Sequence, residues 1–286
     1  MTPPTRTLVA IPVYNEERYA RRVLERVLSF NPHVLVVDDG STDQTPHILP
    51  EFPVDVIRHG KNRGYGKSLK DAFRFAINER FDYLITMDCD EQHEPCAIPS
   101  FIDAISSGTA DIISGSRYMH MGKGDDQPPP ERRAINATIT AELNTRLASS
   151  LGTTLTDSFC GFKAYRVDVL KKLRPTISGY AFPMQFWVQS AAAGLRVREL
   201  PVRLIYNDLT RTFGGQLDNA DARLKHYRYI LHRELIRRAD HLPAAAMRGL
   251  PERTACRSPS ICVPATTRMG RAGLHQNGDE REFCCA

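Results

Sequence analysis

What most constrains this 286-residue chain is a set of short apolar runs that end in acids and are followed by helix-like stretches. His33-Val34-Leu35-Val36-Val37 leads into Asp38, Asp39 and Gly40, and Tyr83-Leu84-Ile85-Thr86-Met87 leads into Asp88, Cys89 and Asp90. Runs that are apolar throughout, without alternation, read as parallel strands covered on both faces. The carboxyl ends of such strands form the edge at which open α/β sheets take their ligands. Acids gathered there are placed to hold a divalent metal and a nucleoside diphosphate.

The first half of the chain alternates strand and helix. Strands are predicted at Thr7–Ile11, Val34–Val37, Val54–Arg58, Tyr83–Met87 and Asp111–Ser114. Helices are predicted at Glu16–Phe30, at a short stretch after Ser41 (read as its N-cap), at Gly66–Glu79 and at Pro95–Ser106. This order predicts an α/β fold, a mostly parallel, doubly wound sheet flanked by helices in a single domain. The rhythm breaks after Arg117. A loop is expected over Met119–Pro130, helices over Arg132–Ser150, Val167–Leu173, Met184–Ala193 and Asp218–Arg238, and a strand over Val197–Leu204. The folded domain is expected to span residues 5–240. Residues 241–286, aperiodic and rich in Pro, Arg, Ala, Ser and Cys, are expected to be a disordered tail.

Charge and cysteine content narrow the function. A net charge of +5 suits an anionic substrate or membrane surface and is no signature of nucleic-acid binding. Seven cysteines, an odd number without metal-ligand spacing, argue against a disulfide framework and for a reducing cytoplasm. The N-terminal residues offer no secretory apolar region. The uncharged stretch Pro175–Leu195 is interrupted by Gly179, Pro183, Gln185 and Gln189, so it reads as a buried helix rather than a membrane span.

On an extended backbone Asp88 and Asp90, two residues apart, point to one side, and Gln92 continues that parity. Oxygen ligands of this kind suit Mg²⁺ or Mn²⁺, which can act as a Lewis acid on a departing diphosphate. A solvated turn would also place aspartates there, so the pair alone does not decide. Asp38 and Asp39 after one strand, and Asn15 and Glu16 after another, bring further polar groups to the same edge, with Tyr14 available to stack on a base. Gly64-Tyr65-Gly66-Lys67-Ser68 lacks the spacing of a phosphate loop; it reads as a tight turn with Arg63 or Lys67 near the nucleotide.

Ile11-Pro12-Val13-Tyr14-Asn15-Glu16, the segment from Val37 to Thr45, Asn62 to Leu69, Met87 to His93 and Gly115-Ser116-Arg117-Tyr118 occur in order. Together they resemble family 2 glycosyltransferases of the GT-A (Rossmann-like) fold, in the branch that mannosylates dolichyl or polyprenyl phosphate. Asp157 to Lys163 and Glu199 to Arg203 resemble later motifs of that branch, and the likeness covers about residues 5–235. The resemblance implies nucleotide-sugar contacts from Pro12, Tyr14, Glu16, Asp39, Lys67 and Asp88, and metal ligation by Asp88, Asp90 and Gln92. It implies acceptor-phosphate contacts from Arg117, Arg132, Arg133 and Arg211, and a catalytic group of Asp90, Arg117, Asp157 and Arg211. The implied cofactor is Mg²⁺ or Mn²⁺, the donor GDP-mannose or UDP-glucose, and the acceptor a polyprenyl phosphate.

Such an enzyme would be an inverting hexosyltransferase, cytoplasmic and peripheral at the cytoplasmic membrane face. The basic helix near Asp221–Arg238 can lie on an anionic membrane, though such an apolar stripe more often packs on its own domain. Relatives often carry transmembrane helices after the catalytic domain; none is legible here. A phosphomonoester acceptor, with a second pKa near ~6, is already a nucleophile and needs no base. A glycan or small hydroxyl acceptor would need one, and Asp157 is then the candidate. A nucleotidyltransferase would need a glycine-rich basic turn where Glu16 and Glu17 stand. A non-catalytic nucleotide-sugar-binding protein is the remaining alternative.

Overall fold

Seven strands form one sheet in the order β3-β2-β1-β4-β6-β5-β7 in the computed structural model, which describes residues 5–120, 125–206 and 212–251. In chain order the elements are β1 (Thr7–Val13), α1 (Ala20–Leu28), β2 (Val34–Asp38), α2 (Thr45–Ile48), β3 (Asp55–Arg58), α3 (Tyr65–Asn78), β4 (Tyr83–Thr86) and α4 (Ile98–Ser106). They continue with β5 (Ile112–Ser116), α5 (Pro130–Leu151), β6 (Lys163–Arg166), α6 (Val167–Leu170), α7 (Phe182–Ala192), β7 (Val197–Pro201) and α8 (Ala220–Arg237). β1, β2, β3 and β4 pair in parallel, as do β5 and β7. The mostly parallel α/β sheet expected from the sequence is therefore present.

Burial explains why these runs become strands. Leu8 to Ile11 and Val34 to Val37 are essentially inaccessible, and successive residues serve opposite faces of the sheet. One core layer joins Leu8, Ala10, Leu35 and Leu84 to the apolar faces of α3, α5, α7 and α8. The other joins Val9, Ile11, Val36 and Ile85 to α1 and α4, through residues such as Val23, Leu24 and Phe101.

Sequence reading missed β6. This short strand lies antiparallel between β4 and β5, with Ala164 opposite both Ile85 and Ile113. Its Lys163 is 5% exposed, an unusual residue for a central strand. The ammonium donates to the Cys160 carbonyl and sits 5.1 Å from the centre of the Trp187 ring. Burial lowers its pKa.

Several boundaries shift for local reasons. α1 starts at Ala20 rather than Glu16, because Asn15 turns into the left-handed region (φ 57°). Asn15 N–H donates to Ser41 Oγ (2.9 Å), and Asn15 Oδ1 accepts from Thr42 N–H (2.8 Å). Ser41 thus ties two loops together and is not an N-cap; α2 begins later, at Thr45. α8 is capped by Asn219, whose Oδ1 accepts from Ala222 N–H at 2.9 Å.

Nor does the folded unit stop at residue 240. Short 3₁₀ turns follow at Ala239–His241 and Ala244–Met247. Ala246 is fully buried, and Arg146 donates to the carbonyls of Ala246 and Arg248. The compact unit extends to Leu250, and residues 252–286 of the expected tail lie outside the described residues. So do residues 121–124 of the expected loop; its later part is pinned where Asp125 and Asp126 accept from the N–H groups of Leu204 and Tyr206. Among the described residues no helix is long and apolar enough to cross a membrane.

Phe162, wholly buried ahead of β6, stacks on Phe101 with ring centres 4.2 Å apart. Phe162→Ala is expected to lower the unfolding free energy by about 3–5 kcal/mol, read from urea denaturation followed by circular dichroism. Phe162→Leu should cost about 1.5 kcal/mol or less. Equal, small losses for both would reject this account of how β6 is held.

Candidate active site

A cavity of about 610 Å³ opens at the carboxyl ends of β1, β2 and β4, walled on its other side by residues of α5, α7, α8 and the segment before α8. Pro12, Tyr14 and Glu16 reach it from the end of β1, and Asp39 from β2. Asp39 is held from three directions. Arg63 N–H and Gly64 N–H donate to its two oxygens at 2.8 Å each, and His59 Nδ1 lies 2.6 Å from Oδ1. The other ring nitrogen of His59 lies 2.8 Å from Asp71 Oδ2. Gly64 has φ 96°, and a Cβ there would sit 2.5 Å from the Ser178 carbonyl, so this donor position needs glycine.

Lys67 does not reach the cavity. Its ammonium grips both oxygens of Asp71 at 2.5 Å, one helical turn away. The nucleotide contact expected of Lys67 is therefore replaced by support, through Asp71 and His59, of Asp39.

Asp88, Asp90 and Gln92 all line the cavity, but not by strand parity. β4 ends at Thr86, and the chain turns through a left-handed Glu91 (φ 58°). Gln92 N–H donates to Asp90 Oδ1 at 3.1 Å, and Asp88 N–H donates to His93 Nδ1 at 3.0 Å. Burial pushes the His93 ring down to about 4, consistent with a neutral imidazole that can accept this bond. Tyr65 hydroxyl donates to Asp88 Oδ1 at 3.0 Å. Gly161 makes room for that carboxylate, since a Cβ on it would lie 2.5 Å from Asp88 Oδ2.

The set fits a hard divalent cation. Among the described residues no group of three or more His, Cys, Asp and Glu gathers as a cage. Two carboxylates and an amide oxygen would leave the rest of the shell to phosphate and water, the usual way Mg²⁺ is held.

Arg117 follows β5 and lines the cavity, while Asp157 is fully buried behind it. Arg117 Nε donates to Asp157 Oδ2 at 2.6 Å and Nη2 to Oδ1 at 3.0 Å, a two-pronged clamp that leaves Nη1 outside it. Asn136 Nδ2 and Phe159 N–H also donate to Oδ1, at 2.7 and 3.1 Å. Burial alone would raise the Asp157 pKa. The Arg117 charge and hydrogen bonds, with Asn136, outweigh it and hold the carboxyl far below the ordinary range. Asp157 is thus not the base considered from the sequence: its oxygens are taken up by five N–H donors, the Arg117 backbone amide included, and it does not line the cavity. It positions Arg117.

The remaining arginines divide. Arg132 lines the cavity; Arg133 lies over the Tyr118 ring, 3.9 Å from its centre, and is not among the lining residues. Arg211 lies outside the described residues. Sequence reading missed Tyr65, His59, Asn136 and Arg223, together with the rings of Tyr180 and Phe213. Gly161 stood inside a quoted motif, but only the neighbouring strand shows what its missing side chain makes room for.

Residues 8–174 match the Glycosyl transferase family 2 description. The chain is 31% identical over 218 residues to the polyprenol monophosphomannose synthase of Mycolicibacterium smegmatis, covering 72% of this chain and 80% of the relative. It is also 31% identical over 227 residues to the undecaprenyl-phosphate mannosyltransferase of Micrococcus luteus, covering 75% and 90%. A crystal structure of Mycobacterium tuberculosis glucosyl-3-phosphoglycerate synthase with Mn²⁺, UDP and glucosyl-3-phosphoglycerate shares the fold. Its TM-score is 0.60 at 18% identity, covering 84% of this chain and 81% of that one. The chain belongs to glycosyl transferase family 2 and has the GT-A fold.

Replacing Asp157 by Ala leaves the buried Arg117 without its counter-ion and should cost about 3–5 kcal/mol at pH 7. Because the folded carboxyl has a lowered pKa, its stabilisation is complete above the ordinary carboxylate range near ~4 and is lost below it. The stability gap between parent and Asp157→Ala should therefore narrow by about 1.4 kcal/mol per pH unit as pH drops below ~4. Guanidinium denaturation at pH 7 and pH 3 measures this; a gap that stays constant counts against the ion pair.

Proposed function

We propose that this enzyme transfers a hexose, with inversion, from a nucleoside-diphosphate sugar to the phosphate of a polyprenyl carrier. The observation that carries the reading is the state of Asp157. The acid beside the cavity arginine Arg117 is consumed in holding that arginine. A hydroxyl acceptor would want a base there, whereas a phosphomonoester is largely dianionic at neutral pH and attacks without one. Relatives named for polyprenol and undecaprenyl-phosphate mannosyl transfer support the same acceptor. Mannose is the favoured sugar and glucose the next. GDP-mannose and UDP-glucose are the donors to test first.

In this reading Pro12, Tyr14, Glu16 and Asp39 receive the nucleoside, with Asp39 kept rigid by His59 and the Arg63 and Gly64 amides. Asp88, Asp90 and Gln92 hold Mg²⁺ or Mn²⁺. A fold neighbour crystallised with Mn²⁺ and UDP supports a divalent ion. When bound, that ion supplies Lewis-acid neutralisation of the diphosphate leaving group. Arg117 and Arg132 face the acceptor phosphate across the cavity. Guanidinium groups grip phosphate oxygens in pairs, and here they reduce the repulsion between two anionic substrates. Catalysis is then positioning and charge compensation, with no proton to remove. The enzyme would act peripherally at the cytoplasmic membrane face, where it can meet the lipid carrier.

Purified protein with radiolabelled donor should label a short-chain polyprenyl phosphate and leave free sugar hydroxyls unlabelled. Labelling of a hydroxyl acceptor in preference to the lipid phosphate sinks the proposal. Asp90→Ala should lower turnover at least ~100-fold, and chelation should abolish it until Mg²⁺ or Mn²⁺ is returned. Gly161→Ala, which pushes on Asp88, should cost at least ~10-fold in kcat/KM, or about 1.4 kcal/mol, with little change in melting temperature.

A further inference from the structure

We propose that Arg223 is a phosphate-binding residue of the same cavity, seating an oxygen of the acceptor phosphate. The proposal rests on the acceptor reading above and adds a cation that the motifs do not include.

Arg223 stands in the first turn of α8, within the basic helix read from the sequence. Its side chain is 3% exposed and lines the cavity. Nη1 donates to the Leu217 carbonyl at 2.7 Å. Nη2 is buried without a hydrogen-bond partner. The same Nη2 makes only a long ion pair, 3.8 Å to Glu131 Oε1, whose side chain is 58% exposed. A guanidinium carries five N–H donors, and buried cations are ordinarily fully paired. This one lines the cavity with one guanidinium nitrogen lacking any hydrogen bond and a carboxylate held only at long range.

Its surroundings select the ligand. The Arg223 guanidinium lies 4.4 Å from the centre of the Phe213 ring, and that of Arg132 lies 5.0 Å from the same ring. Two cations sharing one aromatic ring repel each other, and an anion received between them relieves that repulsion. Position argues for the acceptor rather than the donor. Phe213 packs edge-on against Tyr180, Tyr180 stacks on Tyr65, and the Tyr65 hydroxyl reaches Asp88. Three rings therefore separate Arg223 from the acidic end. Apolar surface ending in a cation pair matches a phosphomonoester on a hydrocarbon chain.

The test compares parent, Arg223→Gln and Arg223→Lys as full chains. With donor saturating, Arg223→Gln should raise the KM for a short-chain polyprenyl phosphate at least tenfold. The donor KM should stay within twofold, and Arg223→Lys should fall between. In a second arm inorganic phosphate is titrated into protein held with Mg²⁺ and GDP or UDP, and melting temperature is followed. Phosphate should stabilise the parent, and Arg223→Gln should need at least tenfold more of it. Equal phosphate response in both proteins overturns the proposal, as does a rise confined to the donor KM, which would assign Arg223 to the donor diphosphate. A fall in melting temperature with both KM values raised together also overturns it, in favour of a structural role. Should the parent transfer nothing to polyprenyl phosphate while phosphate binding still depends on Arg223, the acceptor reading fails and the phosphate seat stands. If Arg223→Gln does not fold, Arg223→Lys carries both comparisons.

Discussion

Burying an ion pair costs several kcal/mol per ion unless geometry and hydrogen bonds repay it. Around Arg117 and Asp157 the chain assembles that repayment from five places. Arg117 follows β5, Asn136 comes from α5, Asp157 precedes β6, Lys163 opens β6 and Glu199 belongs to β7. Glu199 accepts from Asp157 N–H and from the amide and hydroxyl of Thr156, while burial raises its own pKa. The two acids and two bases sit together in the low-dielectric floor of the cavity, so their charges balance there. An arginine fixed this firmly needs no reorganisation when an anion arrives, which is what electrostatic catalysis requires.

The acidic end follows the same rule with different chemistry. Asp39 is set by two backbone N–H groups and by His59, and Asp88 by the Tyr65 hydroxyl with Gly161 making room beside it. Both ends of the cavity thus carry charges held by groups that do not line it, such as Asp157, His59 and Asp71. Lys67 and Asp157, which motif logic placed on the ligands, turn out to be such supports.

How much of this was legible follows from the range of each interaction. Parallel strands β1, β2 and β4 were readable because both faces are buried, which leaves an unbroken apolar run in one dimension. β6 was not readable, because Lys163-Ala164-Tyr165-Arg166 has neither an apolar run nor an alternation that distinguishes it from a turn. Its place between β4 and β5 is decided by partners 49 or more residues away in sequence. The acids at the strand ends were found, although β4 ends at Thr86 and the chain bends at Cys89 and Asp90, so they meet in one cavity without extended backbone. Arg223 was hidden inside an amphipathic pattern in which every basic residue looked alike. Only packing against Phe213 and Leu217 shows that this one points inward.

The antiparallel position of β6 also governs the order in which the molecule can be made. β4 and β5 never touch as neighbours; each waits for the same later segment to fill the gap between them. While the chain emerges from the ribosome, β1 to β4 can pair as soon as they exist, but the seam beside β4 stays open until Lys163–Arg166 appear. Non-local closures of this kind are slow steps that leave strand edges exposed. The clamp on Arg117 is assembled only after that late closure, so a half-synthesised chain has the acidic strand ends of the cavity and lacks the clamped arginine opposite them.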